Sequence, residues 1–351
     1  MEYRTLGRSG LKVSVLTMGT FTFGGAGPFA MVGQQGVAEA RKLVDLCIDN
    51  GVNLFDCANM YSSGLAEEIL GEVLDGRRDQ VLVTSKVRMR TGTGPNDEGV
   101  SRLHLIRECE NSLKRLRTDH IDIYYMHEWD GTTPVEEKLA ALDTLVQQGK
   151  VRYIGCSNYS GWHIMKSLAA SDHDRRPRFV TQQIHYTLEA REAEYELLPI
   201  SVDQGLGVLV WSPLAAGLLT GKHRRGQATP EGSRQFAGWT EPPIRDVEKL
   251  WDIVEVLVAI GEARGVSAAQ IALAWLLGRP AVSSLVVGGR NEAQFKDNFA
   301  AVGLKLTEDE QSRLNVVSAV PLIYPYWHQR NFASARFSEA DMALHRDYAT
   351  L

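Results

Sequence analysis

Eight short apolar runs alternate along the chain with longer stretches of helical periodicity, and this alternation constrains the fold more than any other feature. The strand-like runs are 16–18, 53–56, 81–86, 121–127, 151–157, 180–185, 207–212 and 284–288. They are brief and mostly apolar, as expected of strands buried on both faces. Helical patterns fill the gaps. The stretch 36–50 carries Val37, Ala40, Leu43, Val44 and Cys47 on one face and stops at Gly51, a residue suited to a C-terminal cap. Comparable patterns occupy 66–74, 103–115, 135–147, 162–170, 193–203, 245–264, 268–277 and 293–301. Thr133-Pro134 places proline at a first helical position, and Thr307-Glu308 opens a further short helix.

From the second run to the seventh the repeat is roughly one strand plus one helix per unit. Such alternation implies a parallel sheet, and eight units allow it to close as an α/β (β/α)8 TIM barrel. An open doubly wound sheet is the other solution, but no G-x-G-x-x-G follows the first strand, where such a fold holds a pyrophosphate. The reading is one domain over 1–351, with the barrel in 15–301 and a C-terminal helix and aromatic tail in 302–351. Three departures from a bare barrel stand out. Two short runs joined by Gly7-Arg8-Ser9-Gly10 read as an N-terminal β-hairpin closing the barrel bottom. A long Gly/Pro/Arg-rich connection, 217–243, follows the seventh strand, on the face where barrels carry function. Pro321, Tyr324, Pro325, Tyr326 and Trp327 make the tail too aromatic for a solvated extension, and it is expected to pack over the site.

Net charge is −5 without any run of like charges, which speaks against a nucleic-acid partner. Cys47, Cys57, Cys109 and Cys156 are too sparse for a disulfide framework and lack zinc spacing. The nine histidines include no His-x-His or His-x-x-x-His, so no metal site is expected. Met1-Glu2-Tyr3-Arg4 begins no signal peptide and no apolar stretch reaches a membrane span, so the working compartment is the cytoplasm.

In a (β/α) barrel the site lies at the C-terminal ends of the strands. Three successive ends carry ionisable groups, Asp56, Lys86 and His127, and Tyr61 sits five residues past Asp56. Adjacent strands lie ~4.8 Å apart, so these groups converge on one rim. A lysine ending an apolar strand is seldom buried unless paired. Together the four suit proton donation by a phenol: a nearby ammonium lowers the tyrosine pKa, Asp56 holds the ammonium, and a neutral His127 orients a carbonyl oxygen. Something else must deliver a hydride. Gly217-Leu218-Leu219-Thr220-Gly221-Lys222 has the wrong spacing for a nucleotide-hydrolysing loop.

Asp56-Cys57-Ala58-Asn59-Met60-Tyr61, with Lys86 and His127, resembles the Asp/Tyr/Lys/His tetrad of the aldo-keto reductases. Ordered resemblances run from Leu6-Gly7-Arg8-Ser9-Gly10 through Gly155-Cys156-Ser157-Asn158 and Trp211-Ser212-Pro213-Leu214 to Asn298. The resemblance implies reversible NAD(P)H-dependent reduction of an aldehyde or ketone, with Tyr61, Asp56, Lys86 and His127 catalytic. It implies NADPH as cofactor, with NADH possible. Ser157, Asn158 and Gln183 would hold the nicotinamide carboxamide and Trp211 would stack on its ring, beside Gly19, Thr20 and Phe21. Ser212, Pro213, Leu214, Gly217, Leu218 and Lys222 would follow the pyrophosphate. Arg234 is a further expected cofactor-binding residue. Gly288, Gly289, Arg290, Gln294 and Asn298 would take the adenosine end, Arg290 facing a 2′-phosphate. That last segment also suits a phosphate on its own chemistry, glycines before a helix and an arginine fork.

Some positions depart from the family pattern. Cys57 replaces a common threonine, Val287 stands where proline is frequent before Gly288, and Gly289 stands where alanine is common. Substrate walls are expected from Phe21, Phe23, Phe29 and Trp129 and from the aromatic tail, favouring an apolar or ring-shaped carbonyl compound. Some relatives within the resemblance, the potassium-channel β subunits, imply an alternative: a nucleotide-bound regulatory subunit of a membrane protein. Oligomeric state stays open at this stage.

Overall fold

The strand sequences alternate between two buried environments, and this decides the architecture. In β4 (Leu54–Asp56) and β5 (Leu82–Val87) every residue but Leu82 is buried. Leu54 belongs to a cluster inside the barrel, whereas Phe55, Val83 and Val87 join the larger core between strands and helices. A period of two therefore sends Asp56, Thr84 and Lys86 inward and Cys57 and Ser85 outward. In the computed structural model, which describes residues 1–346, eight parallel strands close into a barrel in chain order.

An antiparallel hairpin, β1 (Tyr3–Thr5) and β2 (Lys12–Ser14), precedes the barrel strand β3 (Leu16–Gly19). After β4 and β5 come β6 (Ile121–Met126), β7 (Val151–Ser157), β8 (Thr181–His185), β9 (Gly207–Trp211) and β10 (Val282–Val287), and β10 pairs with β3 to complete the ring. The helices are α1 (Val37–Asp49), α2 (Leu65–Val73), α3 (Arg102–Arg115), α4 (Val135–Gln147), α5 (Gly161–Asp174), α6 (Ala193–Gln204), α7 (Val247–Arg264), α8 (Ala268–Leu277), α9 (Glu292–Phe299), α10 (Glu308–Ser318), α11 (Tyr326–Ala333) and α12 (Glu339–His345). Strand and helix positions through α10 follow the sequence pattern within a few residues, whereas α11 and α12 form in the tail, where no helix was expected after the one opened by Thr307-Glu308. Pro134 is the cap residue of α4 rather than its first helical residue. Thr307 and Glu310 cap α10 reciprocally, amide to carboxylate at 2.8 Å and amide to hydroxyl at 3.2 Å.

The hairpin closes the barrel bottom. Leu6 and Val13 are fully buried against Leu54, Ile123, Tyr125 and Leu209, each side chain contributing about 1.5–3 kcal/mol of burial. Gly7 permits this approach: its φ is +57°, and a Cβ there would stand 2.4 Å from the Gly205 carbonyl.

The tail departs from expectation. Tyr326 stacks on Tyr195 of α6 at 5.3 Å, and the Tyr195 hydroxyl donates to the Pro321 carbonyl at 2.5 Å. Val320 and Leu344 bury against the same tyrosines. Of the tail aromatics, Tyr326 thus finds its partner on α6 while Tyr324 and Trp327 stay exposed, and no described residue after Asn298 reaches the cavity inside the barrel mouth. The tail does not cover the site; residues 347–351 lie outside the described residues.

Candidate active site

Register fixes the centre of the site. Asp56 lies opposite Thr84, and Lys86, two residues on, points into the same interior. The Lys86 ammonium donates to Asp56 Oδ2 at 2.6 Å, to the Cys57 carbonyl at 2.8 Å and to the Tyr61 hydroxyl at 3.2 Å. The other carboxylate oxygen accepts from Thr84 Oγ1 at 2.6 Å and from Gln183 Nε2 at 2.8 Å. Lys86 is wholly buried and Asp56 nearly so, which only a pair with its remaining hydrogen bonds satisfied can sustain.

Tyr61 is delivered by a tight turn rather than a regular element. Ser62 and Ser63 adopt left-handed φ values of 49° and 57°, of order 1 kcal/mol of strain each. Their compensation is local. Ser62 Oγ donates to the Phe23 carbonyl at 2.6 Å and accepts from the Gly25 amide at 2.9 Å, tying this turn to the loop after β3. Phe21 from that loop meets the Tyr61 ring edge-on at 5.0 Å, and His127 does so at 6.0 Å.

Burial reverses one expectation. It pushes the Tyr61 phenol up to about 12, and the opposing pull of the Lys86 ammonium does not cancel it. Desolvation is the largest influence on Lys86 and works against its charge, but Asp56 and Tyr61 together outweigh it, so the ammonium is held protonated. For His127, desolvation and then Lys86 act in the same direction, well below the usual histidine range, so the ring is neutral. His127 follows β6 directly, with its amide on the Val87 carbonyl at 2.9 Å. Asn158, in a left-handed conformation with φ 56°, donates to the His127 carbonyl at 3.1 Å and accepts from the Trp211 indole at 3.0 Å.

Above this centre opens a cavity of about 940 Å³. Of the residues expected there, Gly19, Phe21, Phe29, Asp56, Tyr61, His127, Ser157, Asn158, Gln183, Trp211, Ser212, Pro213, Leu214, Gly217, Lys222, Arg234, Gly288, Gly289, Arg290, Gln294 and Asn298 line it. Thr20 and Leu218 are buried and do not line it; Thr20 Oγ1 instead donates to the Asp56 carbonyl at 3.0 Å. Phe23 is fully buried in the core and forms no substrate wall. Trp129 is also displaced from the wall: His163 stacks on it at 3.9 Å, and the buried Lys138 ammonium sits 3.8 Å from its ring centre. The wall contains Met60, Met89, Glu128, Trp239, Glu241, Pro242 and Pro243, which the sequence reading passed over. Trp239 meets Phe21 at 5.7 Å. Its signal lay in the long connection after β9, and that of Glu128 in its adjacency to His127.

The cavity is lined from Tyr61 to Arg290, and this lining suits a dinucleotide. Ser157 Oγ is buried there with no hydrogen-bond partner, an orphan that a ligand amide satisfies. At the far end the Arg234 guanidinium is lowered to about 10 by burial and by Arg290 beside it, and neither arginine has a carboxylate ion-paired to it among the described residues. Such unmatched positive charge suits a phosphate. Gly289 is required by packing: a Cβ would stand 2.8 Å from the buried Phe295 ring. Gln35 donates to its carbonyl at 3.1 Å and accepts from Thr22 at 2.5 Å, linking this loop to the loop after β3.

Comparison with known proteins agrees with this geometry. A model of the Aldo/keto reductase family matches residues 15–319. The chain is 38% identical over 332 residues to an uncharacterised oxidoreductase, YrpG, of Bacillus subtilis (strain 168), covering 92% of this chain and 97% of that protein. It is also 38% identical over 310 residues to a probable voltage-gated potassium channel subunit beta of Arabidopsis thaliana, 86% of this chain and 91% of that one. A protein of the same description from Oryza sativa subsp. japonica is 38% identical over 308 residues, with the same shares covered. With the barrel, the buried Asp56–Lys86–Tyr61 chain and these matches, the chain belongs to the aldo/keto reductase family, whose members are nicotinamide-dependent oxidoreductases.

Proposed function

We propose that the protein reduces an aldehyde or ketone to an alcohol with NADPH, reversibly, and that the carbonyl compound is apolar or ring-shaped. The observation that carries the reading is the wholly buried ammonium of Lys86, set 3.2 Å from the Tyr61 hydroxyl at the cavity floor beside a neutral His127.

A bound nicotinamide dinucleotide supplies the hydride. The chain supplies position and the proton. Ser157, Gln183 and Asn158 would hold the carboxamide, Trp211 would lie against the ring, and Arg234 and Arg290 would take the 2′-phosphate, which would favour NADPH over NADH. Phe21, Phe29 and Trp239 exclude water from the substrate end. His127 donates from its ring to the substrate oxygen, and Tyr61 hands that oxygen its proton as negative charge develops. Burial keeps the phenol protonated until then. The phenolate left behind is stabilised by Lys86, which Asp56, Thr84 and Gln183 hold in place.

The test follows absorbance at 340 nm with NADPH and an activated aromatic aldehyde, comparing wild type with Tyr61→Phe. A loss of about a hundredfold or more in the variant supports the reading, since general acid catalysis contributes about 10²–10⁴. Equal inertness of both proteins although NADPH binds overturns it. The beta-subunit names of two relatives favour a second reading, a nucleotide-bound regulatory subunit with slow turnover, and that outcome would bring it forward.

A further inference from the structure

The substrate end of the cavity has a charge as well as a shape. Phe21, Phe29 and Trp239 form an aromatic wall, and the first of these touches Tyr61, so the wall stands beside the reacting oxygen. Two carboxylates line the same end. Glu128 follows His127 directly, and Glu241 lies two residues past Trp239 on the connection after β9. Burial raises the Glu128 carboxyl above its usual range and the Glu241 charge adds to this, while Arg88, which does not line the cavity, and a hydrogen bond with Asn158 oppose it.

The cationic lining is all elsewhere. Lys222, Arg234 and Arg290 belong to the phosphate and adenosine half, and no described lysine or arginine lines the substrate end. The Lys86 ammonium is committed to Asp56 beneath the cavity floor. One guanidinium against two carboxylates leaves the substrate end net negative. Aromatic faces beside carboxylates attract an ammonium by its charge and by the ring quadrupoles, and both arrangements repel a carboxylate or leave it without a partner.

We propose that Glu128 and Glu241 set the charge selectivity of this site, admitting carbonyl compounds with an ammonium group remote from the carbonyl and turning away carboxylate-bearing compounds of the same shape. This rests on the reductase reading above and goes beyond it in naming the class of substrate. Glu128 and Glu241 act here on binding and take no part in proton transfer.

Three benzaldehydes test it, carrying at the para position hydrogen, a trimethylammoniomethyl group or a carboxymethyl group. The methylene insulates the carbonyl from either charge. The readout is the ratio of kcat/KM for the cationic to the anionic aldehyde, in wild type and in Glu128→Gln/Glu241→Gln. Intrinsic reactivity cancels between proteins. Wild type is expected to favour the cation by about tenfold or more at low salt, and the double variant to bring the ratio within about threefold of unity. Glu241→Lys, on an exposed residue whose replacement does not disturb the core, is expected to reverse the order. About 0.5 M NaCl should compress the wild-type ratio, since screening acts on partly exposed charges. Turnover of the neutral aldehyde with no charge order, or a ratio unmoved by the three substitutions, overturns the proposal and leaves the reductase reading intact. Inertness toward all three aldehydes overturns both.

Discussion

Breaking the Asp56–Lys86 pair from either side, and then from both, tests whether the site is held by mutual compensation. The ammonium and carboxylate meet at 2.6 Å with 0% and 3% of their side chains exposed, so neither has water to fall back on. Removing one partner of such a pair costs about 3–5 kcal/mol, mostly because the other charge is stranded. The two directions are not equivalent. In Lys86→Met the carboxylate keeps donors from Thr84 and Gln183, which places the cost near the lower figure. In Asp56→Asn the ammonium loses its one carboxylate partner and is left with neutral acceptors, the Cys57 carbonyl and the Tyr61 hydroxyl among them, which places it near the upper. The double variant Asp56→Asn/Lys86→Met strands no charge and should be more stable than Asp56→Asn alone, with a coupling energy above about 2 kcal/mol. Urea unfolding followed by tryptophan fluorescence and by far-ultraviolet circular dichroism measures this, the two probes checking for a single transition. All three variants should lose NADPH oxidation: Lys86→Met and the double variant take away the charged neighbour of Tyr61, and Asp56→Asn removes the carboxylate that holds that neighbour in place. Additive destabilisation in the double variant, down to the sum of the singles, would refute the account of Lys86 as a charge made tolerable only by Asp56.

Three further expectations follow from the same geometry. Because burial pushes Tyr61 up to about 12 and its protonated form is the donor, kcat/KM for reduction should show no falling limb between about pH 6 and 10; a limb centred near 8 would contradict this. Arg290→Ala should raise KM for NADPH by about tenfold and leave KM for NADH within about twofold, the loss of one charge-assisted contact being about 1.5–3 kcal/mol at most for an exposed arginine. Gly289→Ala should lower stability by about 1–3 kcal/mol, because its Cβ would meet the fully buried Phe295 ring at 2.8 Å; an unchanged urea midpoint would show that this ring moves freely.

The fold and the centre of the site were legible in the sequence because both depend on periodicity. Alternation along 53–56 and 81–86 sends Asp56 and Lys86 to one interior, and chain order brings neighbouring strands together, so their meeting needs no information from afar. What stayed hidden depends on contacts between distant segments. Phe23 and Trp129 look like loop-borne wall residues until Phe23 sinks into the core and Lys138, from α4, takes the Trp129 face. Trp239 and Glu241 reach the substrate end only because the connection after β9 folds back over Phe21, and no local pattern gives that path. The aromatic tail signalled packing without naming a partner, and the signal holds for Tyr326, which meets Tyr195 of α6, but not for Tyr324 and Trp327, which stay exposed.

Tyr61 illustrates the same limit in its chemistry. Proximity to Lys86 was inferred correctly and argues for a lowered pKa, but desolvation is a property of the whole enclosure and works the other way. The enclosure wins, and it suits the proposed chemistry better than the expected shift would have. A phenol lowered below the ambient pH would ionise in the resting enzyme and lose the proton it must give. A phenol held at about 12 beside a permanently charged ammonium keeps its proton while the carbonyl binds, and the ammonium comes into play only as the phenolate forms. The stabilisation is thereby concentrated on the transition state, where it accelerates the reaction, rather than on the ground state, where it would not.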